Sequence, residues 1–290
     1  MTVELLLQTI VNATYAASYM ALIAVGLALI FGVMGVINFA HGELYMAGAY
    51  AVVALYASLG LPFLLAVAIG LIFVGLLGLL MEYSLFRPLR DNPLGGLIAS
   101  IGFLLIVQTV AVLSFGVHME HVPPPTQEKI VFFDGVVLTY QRLLVILATT
   151  ALLGGLWLFL RKSKFGWALR ACAQDREAAV LQGMSINKTA RLAMFIGAAL
   201  AGVAGALTAP LVSATPFMGH SVIVTAFIII IVGGIGSLEG AVLAAILYAF
   251  VHTFVSTIYD GTLANIVGLL LMLVVLIVKP TGLFGARERA

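Results

Sequence analysis

Three side chains able to hold a polar solute or a proton, Asn38, His41 and Glu43, stand in the stretch VINFAHGELYMAGAY (36–50), between two apolar runs. A second acid, Glu239, stands in a similar frame, VGGIGSLEGAVLAA (232–245), beside Gly234, Gly236 and Ser237. In both places an apolar run reaches a glycine-rich break, an acid follows, and a small-residue segment continues. A charged side chain at the centre of a bilayer costs about 2.5–3.5 kcal/mol on insertion scales. Such residues therefore stand in a turn at the water interface, in a packed polar site, or along a wet cavity. Helix breaks free backbone groups, and amides facing a carboxylate with carbonyls or acids facing an ammonium can hold a zwitterion. The expectation is that Asn38, His41, Gly42, Glu43, Gly234, Gly236, Ser237 and Glu239 line a path for a polar solute. The competing reading is a plain turn in water for 36–43 and close helix packing for the glycines.

Other chemistries find no support in the residues. The phosphate-cradling pattern G-x-x-x-x-G-K-[ST] does not occur, so an energy source for work lies in another subunit or in an ion gradient. The patterns H-E-x-x-H and G-x-S-x-G are missing too, which argues against a metalloprotease or a serine hydrolase. HMEH (118–121) offers two histidines, read as polar surface rather than a metal site. No cofactor or metal is expected on this chain. The single cysteine, Cys172, has no partner for an intrachain disulfide. Glu43 and Glu239 leave proton-coupled transport open as a different class.

The elements that must position these residues are membrane spans. Of 290 residues, 63% are hydrophobic and 9% charged, against about 25% charged in ordinary globular domains. The mean hydropathy of +1.19 belongs to a polytopic membrane protein. At about 20 residues per span, apolar segments fall near 8–35, 44–60, 62–82, 94–115, 142–160, 192–214, 222–238, 240–258 and 263–278. Runs such as LIFVGLLGLLM (71–81) do not alternate, so the segments are helices rather than barrel strands. The fold class expected is an all-α polytopic bundle of about nine spans, forming one membrane domain over 1–290. The N-terminus lacks the basic region of a signal peptide, so the first segment is expected to stay as a span.

Twelve of the fourteen basic residues fall in 86–93, 161–191 and the tail after 278. Nine spans with the N-terminus outside put all three groups in the cytosol, as the positive-inside rule asks. The loop 116–141, with PPP at 123–125 and the acids Glu120, Glu128 and Asp134, then faces out. The loop 161–191 reads as structured: Phe165, Ala168, Leu169, Cys172, Ala179 and Val180 recur at helical spacing. A helix over 166–182, about 25 Å long, is expected, with Gly183 as its stop and Ser185 or Asn187 as the next cap. Its thin, alanine-rich apolar face suits a protein groove better than lipid.

The segment ALRACAQDREAAVLQGMSINK (168–188) resembles the coupling segment of ATP-binding-cassette importer permeases. GLALIFGVMGVINFAHGELYMAGAY (26–50), VGGIGSLEGAVLAA and the terminal KPTGLFG (279–285) resemble the same family, in particular LivH-type permeases for branched-chain amino acids. The likeness is spread over nearly the whole chain. It implies an importer permease fold and a bacterial inner-membrane assembly. It implies a second, homologous permease (LivM type), two ATP-binding subunits carrying ATP and Mg, and an extracytoplasmic solute-binding protein, with no nucleic acid. By this resemblance the segment matched by Ala173, Asp175, Ala178, Ala179 and Gly183 docks on an ATPase, with Arg170, Arg176 and Glu177 beside them. Urea and short-amide permeases look similar, so the solute stays open between these classes.

Overall fold

The computed structural model describes residues 2–132 and 135–285. Asp134 of the outer loop and Arg287 and Arg289 of the tail lie outside the described residues. The helices are α1 (Val3–Met34), α2 (His41–Val52), α3 (Phe63–Met81), α4 (Pro93–Phe115), α5 (Tyr140–Lys162), α6 (Lys164–Gln174), α7 (Arg176–Leu181), α8 (Ile186–Thr208), α9 (Gly219–Gly233), α10 (Leu238–Ile258) and α11 (Gly261–Val278). Helix α2 continues to Ser58 and α3 to Phe86 through wider turns, with Leu59 N–H bonding Ala54 O and Arg87 N–H bonding Glu82 O. A short antiparallel hairpin, β1 (Lys129–Phe132) and β2 (Val136–Thr139), precedes α5.

Each of the nine expected spans has its helix, with shifted ends. Seven are long and apolar enough to cross a membrane, counting α3 with its extension; α9 is a shorter apolar helix. The segment expected over 192–214 leaves the helix after Thr208, and the one expected over 222–238 is α9. Among the described residues the small hairpin and the single bridge between Glu120 and Ala214 add to an all-α fold.

Inner and outer helices differ in residue size. In α1 and α8, 78% of the most apolar window is buried; in α5 and α11 it is 22% and 17%. Between lipid-immersed helices there is little hydrophobic drive, so small residues that allow close backbone approach carry the packing. A Cβ on Gly26 of α1 would stand 2.6 Å from the carbonyl oxygen of Gly197 on α8, and the reverse placement is as tight. Gly78 of α3 meets Ala198 and Met194 of α8 in the same way.

The expected helix over 166–182 is corrected to two. Asp175 is extended (φ −155, ψ 107), and its Oδ1 accepts a 2.9 Å bond from Ala178 N, so the side chain ends α6 and caps α7. Gly183 is the stop, at φ 79. Ser185 holds the cap position of α8 without a side-chain bond. Asn187 does not cap: its Oδ1 accepts from Arg90 at 2.5 Å.

Apart from Lys129 of β1 and Arg142, which bonds Asn12, the described basic residues gather at one end of the bundle. There Arg90 also reaches Glu82 Oε1 at 2.8 Å. The tail folds back on the second break: Leu283 N–H bonds Val232 O at 2.8 Å and Phe284 N–H bonds Gly233 O at 2.9 Å. These satisfy carbonyls that the end of α9 would leave free. At the opposite end Gln8 bonds both ways to Val137 of β2, and Glu120 and Ala214 exchange backbone bonds at 2.9 Å.

Candidate functional site

The first break is built by an αL glycine. Gly35 ends α1 at φ 66, with its N–H on Phe31 O at 2.7 Å. The chain turns through 36–40, where Asn38 Oδ1 accepts from Ala40 N at 3.0 Å and Phe39 N donates to Ser100 Oγ at 3.1 Å. It then reaches back along α1: His41 Nε2 lies 3.1 Å from Ile23 O. Ile23 stands about 16 Å along α1 from Met34. Helix α2 therefore starts inside the bundle. Asn38, His41 and Glu43 are buried (0, 0 and 1% exposed), which overturns the reading of a plain turn in water.

A second helix start meets it. Residues 209–218 leave α8 and descend without regular structure to Gly219, the first residue of α9. A Cβ on Gly42 would overlap the Gly219 carbonyl oxygen, and one on Gly219 would stand 2.5 Å from Glu43 Oε1. The first turns of α2 and α9 thus abut in the interior, each presenting the positive end of its dipole; in α2 the N–H groups of His41, Glu43 and Leu44 already bond Asn38 O and Ala40 O. Gln108 of α4 ties them: its Nε2 donates to Glu43 Oε1 at 3.0 Å and lies 2.6 Å from His220 Nε2. Glu43 Oε2, His41 Nδ1 and Asn38 Nδ2 are buried without a partner. Two abutting helix starts with a carboxylate, an amide and an imidazole can hold a small polar group against a backbone that lies open.

The other expected residues stand elsewhere. Gly234 and Gly236 take positive φ (103 and 82), and Ser237 caps α10 through Gly240 N at 3.0 Å. That break lies at the basic end, with Gly236 3.4 Å from the Cβ position of Gly32 and Ala173 of α6 close by. Glu239 is exposed, 3.8 Å from Arg161. Such a pair contributes at most about 1 kcal/mol. The structure therefore brings Asn38, His41, Gly42 and Glu43 together and holds Gly234, Gly236, Ser237 and Glu239 apart from them. Sequence reasoning missed His220 and the break at 209–218. Its signal was APLVSATPFMG (209–219), where two prolines and a glycine interrupt an apolar run.

Helices α6 and α7 form an elbow at the basic end. Leu169, Cys172 and Ala179 are buried against the bundle, while Arg170, Ala173, Asp175, Glu177, Ala178 and Gly183 face out and Arg176 is half-buried. Leu181 is 86% exposed and Val180 stands beside it, so the outward side carries an apolar tip.

Residues 9–277 match the family model described as the branched-chain amino acid transport system / permease component. The chain is 35% identical to the high-affinity branched-chain amino acid transport system permease protein BraD of Pseudomonas aeruginosa, covering 97% of this chain and 96% of that protein. It is 33% identical to the corresponding permease protein LivH of Escherichia coli K12, with the same coverage. It is 28% identical to a probable branched-chain amino acid transport permease protein LivH of Methanocaldococcus jannaschii, over 93% of this chain and 89% of that one. Among solved structures, PsaBC from Streptococcus pneumoniae in complex with Fab superposes with a TM-score of 0.54 at 15% identity, covering 94% of this chain and 92% of that chain. This last likeness concerns the fold alone.

Proposed function

From the premise that this chain belongs to the permease-component family of branched-chain amino acid transport systems, we propose that it is the membrane permease of a binding-protein-dependent ABC importer. Its cargo is a branched-chain amino acid, moved into the cytoplasm by alternating access. It holds no nucleotide or other cofactor; ATP and Mg sit on two partner ATPases. A second permease of the LivM type and an extracytoplasmic solute-binding protein complete the assembly. It is a transport subunit rather than an enzyme, in a bacterial inner membrane, with its N-terminus outside and its basic end in the cytosol. The loop 116–141 docks the binding protein. Of the expected path residues, Asn38, His41, Gly42 and Glu43 border the solute at the meeting of α2 and α9. Gly234, Gly236, Ser237 and Glu239 serve the cytosolic gate.

The observation that carries this reading is the elbow of α6 and α7. One side is anchored on the bundle by Leu169, Cys172 and Ala179, and the other presents Ala173, Ala178, Val180 and Leu181 to water. Apolar tips facing solvent on a short rigid element mark a protein contact. A motor that pushes on this elbow moves α8, which starts just after it at Ile186, packs along α2 and leads through residues 209–218 into α9.

Uptake of labelled leucine by proteoliposomes with and without the ATPase pair tests the class. Accumulation by the chain alone under a proton gradient would sink it. Competition by isoleucine, valine and urea sorts branched-chain from short-amide cargo. A sharper test uses Gly183, where φ is 79 and Met184 N–H bonds back to Ala179 O at 3.1 Å. Gly183→Val forces a β-branched residue into the left-handed region at a cost of about 1–3 kcal/mol. Leucine uptake should fall at least tenfold while ATP hydrolysis continues; a normal uptake-to-hydrolysis ratio would count against the coupling role.

A further inference from the structure

A cavity of about 200 Å³ lies between α1, α9, α10 and α11, beside the meeting of α2 and α9: Ser221 stands in the first turn of α9, and Ile23, whose carbonyl meets His41, lines it. Ser221, Thr225, His252 and Asn265 supply its polar wall, and Ile23 and Ile229 its apolar floor. A ring nitrogen of His252 lies 3.1 Å from Asn265 Oδ1. Its depth follows from helix rise: Ser221 is about 18 Å along α9 from Gly233, His252 about 21 Å along α10 from Leu238, and Asn265 about 20 Å along α11 from Val278. All three helix ends lie at the basic end, so the polar wall sits in the outer half of a hydrocarbon layer about 30 Å thick, with Asn265 about 6 Å along α11 from Gly261. An amide and hydroxyls facing lipid there would lose their hydrogen bonds to water, yet Ser221 and Asn265 are exposed on the bundle surface. A wet cavity accounts for them. None of its lining residues is Lys, Arg, Asp or Glu.

We propose that this cavity is a solute-binding half-site for a molecule of zero net charge that carries both hydrogen-bonding groups and an aliphatic branch. An α-amino acid zwitterion with an aliphatic side chain is that chemistry. A net-charged solute would need a countercharge at this depth, and the wall offers none. Hydroxyls, an imidazole and an amide provide donors and acceptors for the two ends of the zwitterion, while Ile23 and Ile229 receive the branch. The volume falls below the roughly 300–1,000 Å³ of complete small-molecule sites, and the cavity opens on the bundle surface. The missing wall comes from the second permease. The inference rests on the import function proposed above and names where the solute dwells.

The test uses the assembled importer in proteoliposomes, with Cys172→Ala as background. Ser221→Cys, Thr225→Cys and Asn265→Cys are each exposed to a small water-soluble methanethiosulfonate, with Ile266→Cys, one position round α11 and exposed, as the lipid-facing control. The first three should react at least tenfold faster than the control, and leucine with binding protein and ATP should slow them severalfold. Rates equal to the control, or rates that leucine leaves unchanged, would overturn the half-site. Thr225→Val and Asn265→Leu should raise the KM for leucine uptake about tenfold; an unaltered KM in both would also overturn it. If the unsubstituted complex assembles but takes up no leucine, the import reading fails instead, so the two failures are distinct.

Discussion

Arg90→Ala should destabilise the folded chain by about 3–5 kcal/mol, the range for removing one partner of a buried ion pair. Glu82 has no exposed side-chain surface, and its partner Arg90 has 16%. The guanidinium spans two elements, with one nitrogen 2.8 Å from Glu82 Oε1 and another on Asn187 Oδ1. Glu82 Oε2 finds no further donor. Without Arg90 the carboxylate in the packed extension of α3 keeps only the charges of Arg191 and Arg87 nearby, neither bonded to it, and Asn187 loses the bond that ties the start of α8 to the loop after α3. Denaturant unfolding in mixed micelles reads the loss. Adding Glu82→Gln should recover most of it, because the stranded charge is then gone. Arg90→Lys should sit between the two, since an ammonium keeps the charge but not the two-pronged reach. A loss below 1 kcal/mol for Arg90→Ala would show that Glu82 finds water or another donor.

That pair also shows where a linear reading stops. Arg87 and Arg90 are legible as topology markers because basic residues outside apolar runs carry that information alone. Their partners are not legible. Glu82 lies eight residues away across a widened turn, and Asn187, read as a helix cap, is recruited from the first turn of the distant α8. The nine spans could be read because each is a long run of one solvent preference. The first break could be read because His41 and Glu43 are costly in lipid and therefore stand out. Its structural partner could not, since residues 209–218 are nearly as apolar as a helix and differ mainly in Pro210 and Pro216. The look-alike break at 233–237 drew attention instead. Gly234 and Gly236 do adopt positive φ, but they serve a cap stapled by the tail at the basic end. Composition marks where a helix ends; which ends meet depends on packing at long range.

Gly48→Leu should be the most damaging single change in the bundle. A Cβ at Gly48 would fall on the carbonyl of Gly202, and one at Gly205 on the carbonyl of Tyr45, so α2 and α8 touch backbone to backbone. An obstacle that is backbone cannot rotate aside. Overpacking of a side-chain core costs about 1–3 kcal/mol, and here the helices must separate, so about 3 kcal/mol or more is expected. Separation also loses the bond between Tyr45 and Thr208, 2.6 Å apart. Gly102→Leu is the matched control, because nothing lies within 4 Å of its Cβ position. Detergent-extracted Gly102→Leu should elute as a single species with an unchanged melting midpoint, while Gly48→Leu should aggregate or melt far lower. Equal behaviour of the two would mean that α2 can drift from α8 at no cost. That outcome would reach the functional site, because contact with α8 fixes α2 about one and a half turns beyond Glu43. In lipid little else pushes helices together, so the same glycine contact that stabilises the bundle sets where the start of α2 meets the start of α9.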